Sequence, residues 1–168
     1  MRGLAYLSRF IELLGLVVWV GGMVILGALV APIVFNTVKP IEMAGAAMST
    51  VFRRFNGGLV YACIAMVVIG YFGKYFLEKG LSRSSRIEGG LIFVMVLVGL
   101  YIGAVLGPQM ETLRHTMISD PSNSTAIMAF DRDHRVSETL FTVNLLLGLA
   151  VLFINAKESV MTNAGRKG

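Results

Sequence analysis

Charge is scarce in this sequence: only 15% of its 168 residues are Asp, Glu, Lys or Arg, 55% are hydrophobic, and the mean hydropathy is +0.73. A chain of this size has too little polar surface to cover a water-soluble globule, so composition excludes a soluble domain and points to a membrane protein. Cysteine is reduced to Cys63, which excludes an internal disulfide and a thiolate cluster. Inside an apolar run it reads as a small packing hydrophobe. Histidine is limited to His115 and His134, both outside the apolar runs, so a haem held from mid-span is excluded and only a rim position remains open to it. The chain has no nucleophile beside a base motif, no phosphate-binding glycine loop and no zinc spacing, which removes the common catalytic signatures. The net charge of +5 is spread over the ends of apolar runs, which suits lipid headgroups and not nucleic acid.

What the chain has is four long apolar runs. Glu12 to Pro32 and Glu88 to Pro108 each cover 20 residue-to-residue steps, about 30 Å as helix and so one hydrocarbon thickness. The runs Leu59 to Phe76 and Leu140 to Ile154 follow the same logic. The expected fold is all-α: a single integral membrane domain over 1–168, a four-helix bundle with spans at about 10–35, 57–78, 87–112 and 134–156. The first run is too long for a signal peptide and is read as a retained helix after a short lead-in, Met1 to Ser8. Lys39-Pro40 starts an amphipathic helix carrying Ile41, Ala44, Met48, Val51, Phe52 and Phe55 at helical spacing. It is expected to lie on the membrane surface, present Arg53-Arg54 to headgroups, and break at Asn56-Gly57-Gly58. Lys79 to Arg86 reads as a polar turn. Asp120-Pro121 reads as a start signal with Ile127 and Phe130 on its apolar side, and Glu158 to Gly168 as a disordered tail.

The halves 1–80 and 81–158 echo one another. At an offset of 76, Ile11-Glu12 meets Ile87-Glu88, Val18 meets Val94, Val20 meets Val96, Gly27-Ala28 meets Gly103-Ala104 and Pro32 meets Pro108. At an offset of 78, Phe52 meets Phe130, Arg54 meets Arg132, Gly70 meets Gly148 and Lys79 meets Lys157. First and third helices run the same way, so the repeat is parallel and the bundle is two hairpins about an axis along the membrane normal. Lys and Arg are more numerous at the ends shared by the two termini, which places both termini in the cytoplasm of an inner, bacterial-type membrane. Gly99, Gly103 and Gly107 recur every fourth residue and, with Gly27 and Ala31 in the first helix, predict a close packing face. Trp19, mid-span, is expected to pack between helices, with a lipid-facing position the alternative.

Two groups of polar residues are candidates for chemistry. Glu12 and Glu88 read first as anchors at the membrane boundary, near helix N-termini where a carboxylate is welcome. The alternative is that the pseudo-twofold brings them together as a gate or cation site with Lys74 as counter-charge. On the opposite side, His134 and Glu138 share one helix face beside Arg135 and could point into the bundle. There His115 and His134 are the only imidazoles open to a metal, and Met110, Met117 and Met128 are near enough in sequence for a copper site to be weighed. Solvated helix ends and gap-filling methionines are the competing reading.

The segments Trp19-Val20-Gly21-Gly22-Met23, Ala31-Pro32-Ile33-Val34-Phe35 and Phe130-Asp131-Arg132-Asp133-His134-Arg135-Val136-Ser137 resemble the transmembrane-protein-205-like family of unknown function. The likeness covers nearly all of the chain. That family is distantly similar to copper resistance protein D and to a membrane protoporphyrinogen oxidase, which implies metal or haem handling. The resemblance carries over Trp19, Gly22 and Pro32 as packing positions and His134 with Arg135 as site candidates. The haem-linked relatives have a His in the first helix where this chain has Glu12, so no cofactor is expected, with haem or copper at His115 and His134 the exception to test. The leading expectation is a non-enzymatic multi-pass protein that handles a small ion, solute or metal, or packs in a larger membrane complex as a homo-oligomer or with other subunits. A haem- or metal-binding oxidoreductase subunit is the alternative.

Overall fold

The computed structural model describes residues 2–77 and 83–164. Among them there is no strand, and four helices are long and apolar enough to cross a membrane: Gly3–Thr37, Ile41–Leu77, Ser84–Ser119 and Ser124–Glu158. Helix throughout is what an apolar solvent requires, because each backbone N–H and C=O must find its partner within its own segment. Thirty-five residues at about 1.5 Å each give roughly 52 Å, so the helices project well beyond a hydrocarbon layer of about 30 Å.

Neighbours fix the order. Glu12, Gly15 and Gly22 of the first helix meet Gly70, Cys63 and Phe55 of the second, so that pair is antiparallel. Glu88 and Met95 of the third helix meet Asn155 and Gly148 of the fourth, making a second antiparallel hairpin. The hairpins join through Trp19 against Gly99 and Val20 against Gly148. The core along this seam holds Leu16, Trp19, Met23, Val60, Cys63, Val67, Met95 and Val151. Trp19 is 1% exposed, and a Cβ on Gly99 would stand 2.7 Å from its ring. The glycine is therefore what admits the indole. Outward-facing aromatics, Tyr6, Phe10, Phe72, Tyr75, Phe76 and Phe153, collect at the Glu12 end, where an interfacial belt is expected.

Several boundaries differ from the expectation. The lead-in is already helical, since the first helix starts at Arg2. The amphipathic segment Ile41–Arg54 forms, but it is no separate surface helix: it continues through Phe55–Leu59 into Val60–Leu77. Asn56-Gly57-Gly58 widens the helix into a π turn without breaking it, and Asn56 Nδ2 donates back to the Phe52 carbonyl at 3.1 Å. The fourth helix starts at Ser124, ten residues before His134. Its start signal is Asn123, whose Oδ1 accepts the Ala126 N–H at 3.0 Å, while Asp120 turns inward on Ser122. The same helix runs to Ala164, so most of the expected disordered tail is ordered. The second span's end at Glu78 and the turn at Lys79 lie outside the described residues, whereas Lys157, the residue matched to Lys79, is described and helical. From Arg83 the chain is helical.

Two more π turns, Leu26–Val30 and Ile102–Leu106, are followed within two residues by Pro32 and Pro108. A proline in a helix interior lacks a donor and crowds the carbonyl a turn earlier. Adding a residue to that turn relieves both, and the helix resumes.

The Phe55–Leu59 turn supplies a first prediction. A Cβ at Gly57 or Gly58 meets nothing within 4 Å, so Gly57→Ala and Gly58→Ala should each stabilise the protein by up to about 1 kcal/mol through helix propensity. Thermal unfolding in detergent would show it. A loss of stability at both positions would mean that the chain does bend away there.

Candidate functional site

Each of the four helices delivers one polar side chain to a cluster at the Glu12 end of the bundle. Glu12 and Glu88 are 0% exposed and Lys74 is 2% exposed. Lys74 Nζ donates to Glu88 Oε2 at 2.5 Å and stands 3.8 Å from Glu12 Oε2. Asn155 Nδ2 donates to Glu88 Oε1 at 2.5 Å and to the Val151 carbonyl at 3.2 Å. Around them, the Tyr71 hydroxyl donates to the Ser85 carbonyl, the Ser85 hydroxyl to Glu158 Oε1, and the Lys74 ammonium lies 5.9 Å from the Tyr71 ring centre.

The two acids are unequal. Glu88 has its two oxygens engaged by an ammonium and an amide. Both oxygens of Glu12 are buried with no hydrogen-bond partner; Lys74 is 3.8 Å away, and Glu88 and Arg9 also lie close enough to act on it. One lysine thus serves two carboxylates, leaving a formal charge of −1 on the trio when both are ionised. An unbalanced charge in a low-dielectric interior is costly, and Arg9, one turn before Glu12, is the next cation that bears on it.

Glycine makes the cluster possible. A Cβ on Gly70 would stand 2.6 Å from both the Cβ and the backbone N of Glu12, and one on Gly15 would stand 2.9 Å from the Met66 Cβ. The first two helices therefore touch backbone to backbone where Glu12 and Lys74 face one another, as small residues allow in membrane bundles. Depth and burial come apart here. Glu12 and Glu88 lie near the belt of outward aromatics, as boundary anchors would, yet neither is exposed.

Residues 14–119 match a family described as a domain of unknown function, DUF4149, which is more than half of the chain. The chain belongs to the DUF4149 family. No curated protein and no solved structure matches it. The stretch matched to DUF4149 contains Lys74, Glu88 and all three π turns, but begins two residues after Glu12 and ends before the fourth helix.

In this DUF4149 protein the second group of candidates is dispersed. His134 is 54% exposed and points outward, its Nε2 3.3 Å from Glu138 Oε1, with its ring stacked on Phe130. Neither residue points into the bundle, because the inward position at the start of that span is Asp133, which accepts from Arg132 at 2.9 and 3.0 Å and is buried. Arg135 lines only a shallow outer depression with Val136, Thr139 and Leu140. His115, 73% exposed, stands 3.4 Å from Glu111, which also faces Arg53 at 3.7 Å and accepts from Ser49. Among the described residues, no group of three or more His, Cys, Asp and Glu is placed to hold a metal ion.

The glycine stripe divides as well. Gly99 takes Trp19, and Gly103 faces Tyr61 and the Asn56 carbonyl of the second helix. Gly107 meets only its own helix at the Ile102 carbonyl; Gly27 is exposed, with Phe141 4.0 Å from its Cβ position, and Ala31 is half-buried. The cause is the π turn at Ile102–Leu106, whose extra residue rotates the rest of the helix, Gly107 included, out of the fourfold register. Sequence reasoning missed Asn155, Gly70, Gly15 and the buried Asp133. Asn144 and Asn155, eleven residues apart on an otherwise apolar span, were the available signal.

Proposed function

We propose that this protein handles protons, with the Glu12–Lys74–Glu88 cluster as its exchange site. The carrying observation is Glu12: a fully buried carboxylate with neither oxygen hydrogen-bonded, sharing one lysine with a second buried acid. Intramembrane acids are expensive and usually mark ion or proton paths. A proton fits better than a metal cation, because the Lys74 ammonium already occupies the place between the carboxylates where a metal would sit. Arg9, one turn before Glu12, Tyr71 and Glu158 are the other ionisable groups around the cluster. With Lys and Arg concentrated on that side, the cluster faces the cytoplasm.

We further read the two halves as a repeat. In support, Glu12 and Glu88 are both fully buried, Gly70 and Gly148 both lie against another helix, and two π turns start at residues 26 and 102, 76 positions apart. A role like that of copper resistance protein D would route through His115 and His134, each on the surface and already beside a carboxylate of its own helix. The acid–lysine cluster is the better-built site.

The test is proton flux into proteoliposomes carrying an internal pH-sensitive dye, driven by a potassium diffusion potential. Glu12→Gln leaves a balanced Glu88–Lys74 pair and should fold, yet slow the flux by roughly tenfold or more if Glu12 is an obligatory carrier. Equal flux in the variant, or wild-type vesicles no faster than empty ones, would end this reading.

A further inference from the structure

Asp133, Asn144 and Asn155 follow one another on the fourth helix at steps of eleven residues. Eleven residues complete three turns of about 3.67, so the three share one face, and at about 1.5 Å a residue they span roughly 33 Å, one hydrocarbon thickness. That face looks inward: Asp133 and Asn144 are buried, Asn155 reaches Glu88, and Gly148 between them is packed by Val20 and Met95. The upper end is Asp133 and the lower end is the acid–lysine cluster. Asn144 stands at the midpoint.

Asn144 is unexplained by the packing around it. It is 2% exposed, and its Oδ1 has no hydrogen-bond partner. An unmet buried acceptor costs about 1–3 kcal/mol, and an apolar residue would fill the position at no such cost. Buried polar groups without a protein partner are ordinarily satisfied by enclosed water, which such sites hold tightly.

We propose that Asn144 binds water at the membrane midpoint and that the Asp133–Asn144–Asn155 face is the proton's route to the Glu12–Lys74–Glu88 cluster. This rests on the reading that the cluster handles protons. Along the route a proton moves as an excess charge on water, accepted at one oxygen as another is released, and is delivered to a carboxylate oxygen of the acid pair. Val20 and Met95 pack on Gly148 in the interval between Asn144 and Asn155.

The proteoliposome assay separates this inference from the one beneath it. Asn144→Leu removes the acceptor without adding charge, and should slow the flux by roughly tenfold or more, the effect of leaving a water-bridged step without its polar anchor. Asn144→Ser keeps a hydroxyl that can hold water and should conduct at close to the wild-type rate. Flux through Asn144→Leu equal to wild type, with Glu12→Gln slow, would overturn the route and leave the cluster standing. Wild-type vesicles no faster than empty ones would overturn both. Because Asn144→Leu could fail through folding, a second readout uses the wild-type protein. Solid-state magnetisation transfer from water to asparagine side-chain amides in proteoliposomes should show Asn144 hydrated, and a carboxamide that receives nothing from water would overturn the proposal.

Discussion

Replacing Lys74 with methionine should be among the most destabilising single changes in the bundle, at about 3–5 kcal/mol, the cost of leaving buried charge without its partner. The substitution keeps an unbranched apolar stem of similar reach but leaves Glu12 and Glu88 facing one another with no cation between them. The diagnostic comparison is the triple variant Lys74→Met, Glu12→Gln, Glu88→Gln. With the three charges of the trio gone and volumes nearly conserved, it should recover most of the loss, since buried ion pairs are often no better than neutral replacements. Equilibrium unfolding in mixed micelles reads both. A Lys74→Met cost below about 1 kcal/mol would mean that water reaches the cluster and screens it. A triple variant as unstable as Lys74→Met would mean that the lysine's contribution is packing, not charge. Glu12→Gln should be the mildest change in the set, because it removes the surplus charge.

The architecture was legible because its determinants are local. Four apolar runs, each ended by charge or proline, force helices, and their order along the chain dictates the hairpins. The break expected at Asn56-Gly57-Gly58 was misread because in lipid an interrupted helix must satisfy its own carbonyls, and a π turn does so where a water-exposed chain would stop. The early start of the fourth helix, at Ser124, had a visible cap in Asn123, but Asp120-Pro121 offered a competing one.

The site was half legible. That Glu12 and Glu88 each open a long apolar run could be read from the sequence, and Lys74 suggested itself as a counter-charge. Their burial could not be read, because depth along a helix says nothing about rotation around it. What turns Glu12 inward is the pair of glycines, Gly15 on its own helix and Gly70 opposite. The histidines show the reverse. His134 and Glu138 at a spacing of four do share a face, as the pattern implied, but it is the outer one, and the adjacent Asp133 takes the inner.

Gly70→Ala tests this dependence of the site on backbone contact. Alanine is favoured over glycine inside a helix by about 1 kcal/mol, and where space is open, as at Gly58, that gain should be seen. At Gly70 the added methyl would sit 2.6 Å from the Glu12 backbone N and 2.7 Å from the Ser8 carbonyl. Backbone atoms cannot swing aside as a side-chain tip can, so the first two helices must separate. Overpacking of this kind costs about 1–3 kcal/mol, enough to reverse the sign of the propensity gain. The displacement falls one turn from Lys74, where the ion pair to Glu12 is already 3.8 Å long, so on the proposed proton role flux into proteoliposomes should fall with stability. Gly148→Ala makes the useful contrast. Its obstacles are the ends of the Val20 and Met95 side chains, which can yield, so its cost should be smaller and the acid–lysine cluster should stay intact. Gly70→Ala as benign as Gly58→Ala would show that the first two helices do not meet at this distance, and the burial of Glu12 would lose its cause.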